Sequence, residues 1–417
     1  MTRGGVSTRV REGSLRLPAP DLARGFMLLL IAVASVSSFM YAQDQDGIRN
    51  LADYTVLDRV VVFIRAITVD QRALPLFAFL FGYGMVQFER SRLSKGYSEG
   101  EVDKIQRRRY AGMMIFGLAH GALLYAGDIL GTYALIALIF GGLFFRRSLK
   151  TLVITAASFF GLGAILDAGG FLVAWSDHAA LPGDALAPED STLLYASALP
   201  AFESYLQSIV PRFELWLIMT TLSVIFAPTL VAMVVLGWIL ARRRFLEEPD
   251  PKLLKRWALI GIGIGWLGGL PQALTASGIF LIPESAGYPI VAVSLLTGCF
   301  GGFGYMCLIA LISLKVCAPN RKVGPFTEGL LAMGKRSLTG YIVQSLVFAP
   351  MMCAWGLGLG SEVGQFGATM IACAVWYVTV LVCVLLDRKG YLGPLELLLR
   401  RFAYGKMTPP TQISTQG

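Results

Sequence analysis

Charge is scarce in this chain. Asp, Glu, Lys and Arg make up 15% of its 417 residues, where a soluble domain carries roughly a quarter. That deficit excludes an ordinary water-facing surface. The apolar residues, 55% of the chain, come in runs of about twenty, long enough to cross a bilayer as helices. Short alternating segments of the kind that build a membrane barrel are missing. The fold class is therefore all-α: a polytopic transmembrane helical bundle, because only helices and closed barrels satisfy every backbone group in lipid.

Other absences narrow the function. All six cysteines lie between Cys299 and Cys383, in or beside apolar runs, and none forms a CxxC pair. This excludes a disulfide framework and a zinc site, and no metal is expected. There is no phosphate-binding loop, no GxSxG elbow, no clear internal repeat and no linker to a soluble domain. The first apolar run, after Arg24, is too long and too poor in cleavage signals for a signal peptide. The net charge of +9 does not mark a nucleic-acid binder, because the basic residues sit in short loops between apolar runs. That is the positive-inside pattern, and the partner it implies is the lipid bilayer.

What is present sets an expectation of about ten spans. They fall near 24–42, 60–88, 110–126, 129–145, 151–175, 214–241, 257–280, 289–314, 337–356 and 364–386. In the second, Arg65, Asp70 and Arg72 interrupt the run, so 60–70 reads as an interfacial or re-entrant helix and 73–88 as the crossing. Only Arg49, Arg59, Arg65, Arg72 and Arg212 fall outside or in the outer half, leaving 31 of 36 basic residues inside. Both termini are then cytoplasmic, and the protein is a multi-pass membrane component. Residues 1–23 form a basic tail, 24–386 the membrane domain with its largest outer loop at 176–212, and 387–417 a second tail. Within that tail, 393–405 is too short to span; its leucines and Phe402 beside Arg400 and Arg401 predict an interfacial helix near Arg336.

The chemistry-bearing residues cluster around 107–136. An ionisable group inside a span is functional by default. His120, one of two histidines, suits a general base or proton relay, or a packed residue bonded across helices. Asp128, eight residues on, could orient that imidazole once Gly127 breaks the helix, or could cap the next helix. A carboxylate and an imidazole near hydrocarbon each cost several kcal/mol unpaired. The two are therefore expected to line one polar cavity opening outward, with Arg65 or Arg72 at its rim. Asp21 and Arg24 can pair at (i, i+3). Arg65, Asp70 and Arg72 suit an anion patch or snorkelling cations. Gln344 is a polar candidate for binding or for a bond between helices. His178 lies in the outer segment.

Five motifs carry a resemblance: DLARG at 21–25, LFAFLFGYG at 76–84, RRRYAGMMIFGLAHGALLYAGDILGTYAL at 107–135, GKRSLTGYIVQS at 334–345 and GPLELLLRRFAYG at 393–405. In this order they resemble the domain-of-unknown-function 418 family, the YeiB-like bacterial membrane proteins. That family looks distantly similar to transmembrane acyltransferases that modify sugars, which also open on an Asp-x-x-Arg-Gly signature. Those enzymes carry a catalytic histidine just after the first span. This chain has none between Gly25 and Ala119, so that residue is not carried over; if the acyl transfer that the resemblance implies is the chemistry, His120 is the base, from a different helix. Asp21, Arg24, Arg65, Arg72 and Gln344 are the binding candidates. Acyl-coenzyme A would be co-substrate rather than bound cofactor, and the acceptor an envelope component or small molecule. A proton-linked transporter using His120 and Asp128, or a non-catalytic scaffold, are the alternatives; inverted repeats, which would favour transport, are not seen.

Overall fold

The protein is described from a computed structural model covering residues 18–41, 51–180, 198–280, 287–316, 318 and 322–405. Among the described residues the architecture is helical and without strands. Helix α1 is Ala19–Val36, and Pro20 and Asp21 open it as helix N-termini favour. Helix α2, Val56–Thr68, begins with a capping box between Thr55 and Asp58. The charges at Arg65, Asp70 and Arg72 mark a real break, where Gln71 takes a left-handed conformation (φ 61°). Helix α3, Ala73–Leu93, follows. Then come α4, Glu99–Leu123, α5, Leu130–Phe144, and α6, Leu149–Ala180.

The expected span at 214–241 is not one rod. It is divided into α7, Tyr205–Phe226, and α8, Pro228–Arg242, bent by 64°. The cause is local: Ala227 precedes Pro228, and a residue before proline is pushed out of the helical region, here to φ −117°, ψ 56°. Besides a single turn at Leu359–Glu362, the remaining helices are α9, Pro251–Ala276; α10, Gly287–Val316; α11, Pro325–Lys335; α12, Ser337–Met352; α13, Gln365–Arg388; and α14, Pro394–Tyr404.

Five of the described helices are long and apolar enough to cross a membrane: Ala19–Phe39, Leu149–Gly169, Pro251–Ala276, Pro289–Val316 and Gln365–Arg388. The bent α7–α8 pair makes a sixth. The other segments expected to span fall short for stated reasons. Helices α5 and α12 are apolar but only 15 and 16 residues long. Helices α3 and α4 are longer but carry Glu89, Arg90 and Arg92, or Glu101, Asp103 and Arg107 to Arg109, at one end.

Helix α1 is the hub and packs on α3, α10, α11, α12 and α13. Its contact with α11 needs Gly25, where a Cβ would run into the Leu330 carbonyl. Helices α9 and α10 meet along their length through small residues, Gly261 and Gly265 against Gly304 and Gly301. Helix α14 lies on α4 and α12. Glu396 accepts hydrogen bonds from the Leu338 and Thr339 amides at 2.8 and 3.1 Å and from the Thr339 hydroxyl, so it supplies the cap that the start of α12 lacks.

Candidate functional site

Helix α4 ends one turn after His120, and the chain reverses through 124–129 into α5. This turn closes the eight-residue gap: His120 Nδ1 lies 2.8 Å from Asp128 Oδ1, with both side chains wholly shielded from solvent. Asp128 does both things its position allows. Its Oδ2 accepts from the Gly131 amide at 2.7 Å, capping α5, while Oδ1 holds the imidazole. Two further donors come from distant helices: Trp216 Nε1 of α7 at 3.4 Å to Oδ2 and the Tyr341 hydroxyl of α12 at 3.4 Å to Oδ1.

Four donors fill the roughly four lone-pair sites of a carboxylate. The aspartate then acts as acceptor throughout, so Nδ1 carries an imidazole hydrogen, an assignment made from the network; in the neutral ring the lone pair is on Nε2. Nε2 is buried and has no hydrogen-bond partner among the described residues. The rings of Tyr341 and Tyr125 flank the imidazole at 4.9 and 6.2 Å between centroids. Glycines make this density possible: a Cβ on Gly121 or Gly131 would strike the Trp216 ring, and one on Gly117 would strike Asp128.

His120 and Asp128 themselves line neither of two cavities walled by their neighbours, which differs from the expectation that they share one. The larger, about 440 Å³, has Tyr341 and Leu130 in its wall, and its size is typical of small-molecule sites. Asp21, Arg24, Arg92, Lys95, Arg109 and Lys335 also line it. All five motifs of the family resemblance contribute to this wall, the last through Glu396 and Leu399. The smaller cavity, about 130 Å³, is walled by Ser38, Tyr125, Gly127, Arg212 and Cys353 among others. The two lie at opposite ends of the same helices. Arg24 and Ser38 on the first helical stretch, and Arg109 on α4 and Leu124 just past its end, are separated by roughly 20 Å of helix rise.

The sequence candidates divide. Asp21 and Arg24 pair at 2.9 Å and line the larger cavity. Arg65 and Arg72, expected at the rim of an outward cavity, line neither of these two cavities. Arg65 binds Asp70 at 3.2 Å and Gln365 at 3.0 Å. Arg72 is fully buried; it donates to Ser294 at 2.9 Å and to the Gly265 carbonyl, which pins the α2–α3 turn to α9 and α10. Carbonyls freed at the helix break and a small-residue groove take both terminal nitrogens of Arg72, while its Nε is buried without a partner among the described residues. Gln344 donates to the Leu28 carbonyl at 3.3 Å and joins α12 to α1 rather than facing a cavity. His178 lies where side chains are outside the described residues. Tyr341 was present in a quoted motif but not singled out, and Trp216 carried no sequence signal.

Helices able to cross a membrane, around a buried His–Asp pair, define a polytopic helical protein of the membrane class. Residues 240–406 match the model of the family described as Protein of unknown function (DUF418), the family its motifs resemble. That stretch contributes Tyr341 to the site; His120 and Asp128 lie before it. The chain is also 25% identical to the uncharacterized protein YxaH of Bacillus subtilis (strain 168), over 94% of this chain and 96% of that one. No solved structure matches the chain.

Proposed function

We propose that the chain is an acyltransferase of a bacterial cytoplasmic membrane, with His120 as general base and Asp128 as its orienting group. The carrying observation is the buried, partnerless Nε2 of a carboxylate-held imidazole whose ring neighbours Tyr341 and Tyr125 each wall a cavity. Such a carboxylate fixes tautomer and ring orientation for proton abstraction. In this reading the basic end faces the cytoplasm, the shorter apolar helices complete about ten crossings, and both termini are inside. An anionic acyl donor such as acyl-coenzyme A enters the larger cavity past Arg92, Lys95, Arg109 and Lys335. An envelope or small-molecule acceptor comes from the other end.

The step balances simply. Nε2 takes the proton of the acceptor hydroxyl or amine as its oxygen or nitrogen attacks the thioester carbonyl. The C–S bond then breaks, and the leaving thiolate takes that proton. Tyr341 forms the wall between donor cavity and imidazole, so its ring must turn aside for the reaction. Mass spectrometry of the cell envelope from a deletion strain tests the reading. The lost acyl group should return with the wild-type gene and not with His120→Gln at equal membrane abundance; an unchanged acyl profile on deletion overturns it. The closure of the pair also fits a proton-linked transporter. Uptake assays that lose a pH-driven flux on deletion, with the acyl profile intact, would select that second reading.

A further inference from the structure

We propose that the smaller cavity is a binding site for a small hydroxyl-bearing anion, a carboxylate or a phosphate ester, anchored by Arg212. Arg212 is 3% exposed and lines this cavity. One of its nitrogens, Nε, donates to the Ala122 carbonyl at 3.0 Å, in the last turn of α4. That contact caps α4 and accounts for one donor only. Nη2 is buried with no partner among the described residues. Its Cζ lies 5.1 Å from the Tyr205 ring centroid, a contact that neutralises no charge. No acidic side chain lines the cavity among the described residues.

A guanidinium buried with donors unused is costly, and a carboxylate or phosphate fits its planar fork with two parallel hydrogen bonds. The space is there: about 130 Å³, against the roughly 10–15 Å³ that one water needs. The hydroxyls of Tyr125 and Ser38, 3.2 Å apart, offer polar contacts in the same wall. Arg212 also stands one helical turn before Trp216, which donates to Asp128. An anion held on Arg212 thus lies within a helical turn of the residue that donates to Asp128, and Tyr125 in the same wall has its ring 6.2 Å from that of His120. That this anion is the acyl acceptor rests on the proposed transfer reaction; the site itself rests on Arg212 and its cavity.

The test uses the full-length protein in lipid nanodiscs and follows its melting temperature. The probes are glycerol 3-phosphate for the phosphate arm and lactate for the carboxylate arm, with glycerol and chloride as controls. At least one anion should raise the wild-type midpoint by several degrees while the controls do not, and the arm that responds names the headgroup. Arg212→Gln should lose the rise. Ala126→Leu, which fills the cavity and leaves Arg212 in place, should lose it too, and this variant carries the test if Arg212→Gln does not fold. No rise with either anion, or a rise that survives in Ala126→Leu, overturns the proposal. His120→Ala should keep the anion response while losing transfer, so a failure of the transfer reading shows separately from a failure of the site.

Discussion

Replacing Asp128 by asparagine should invert the tautomer of His120 at little cost in stability. The carboxylate receives two strong donors, His120 Nδ1 at 2.8 Å and the Gly131 amide at 2.7 Å, and two longer ones at 3.4 Å from Trp216 and Tyr341. The Gly131 N–H is backbone and cannot turn. An asparagine oxygen must therefore stay on that side, and the amide NH₂ must face the imidazole. Two donors cannot share one hydrogen bond, so Nδ1 gives up its proton and Nε2 takes it. The Tyr341 hydroxyl can rotate to accept. The net loss is about one ordinary hydrogen bond, about 1 kcal/mol. Asp128→Ala differs: it orphans both strong donors, at roughly 1–3 kcal/mol each, for about 2–6 kcal/mol. Activity should fall by about 10²–10⁴ in Asp128→Asn, the usual contribution of a positioned base. The assay is ¹⁵N NMR of imidazole-labelled protein. The chain has two histidines, so His178→Gln leaves a single signal pair to follow. A His120 that keeps its hydrogen on Nδ1 in Asp128→Asn, or equal destabilisation by Asn and Ala, refutes the network as described.

Three other outcomes can be measured directly. Gly121→Ala should lower the melting point in detergent by the equivalent of about 1–3 kcal/mol, because its methyl overlaps the Trp216 ring; a neutral effect would mean that Trp216 is free to move. Glu396→Ala removes the cap of α12 and should cost about 0.5–2 kcal/mol, and deleting α14 should cost more, with an unchanged melt counting against docking of the tail. A cysteine at Lys95 and one at Leu357, which is 74% exposed, should react with impermeant reagents from opposite sides of sealed vesicles; labelling from one side only would contradict the proposed topology.

Much of the fold was legible because membrane helices write their length and polarity into contiguous sequence. The break at 69–72 was visible as three charges in an apolar run, and the helix after Gly127 as an Asp three residues ahead of its second amide. The bend at Ala227 was not read, although Pro228 carries its signal, because a span was counted by hydropathy alone. For the site, the sequence placed His120 and Asp128 one reversal apart and left open whether they touch.

Sequence by itself determined the class, the basic end and the two groups able to hold a proton, since these depend on composition and on neighbours within a few residues. Tertiary structure decided the rest. It brought Trp216 and Tyr341 onto Asp128 from 88 and 213 positions away. It spent Arg72 and Gln344 on carbonyls of packed helices, and it left Nε2 of His120 and Nη2 of Arg212 without partners. The physical reason is one of range. A helical period tells which face a residue occupies, but which acceptor lies opposite that face is fixed only when the helices dock.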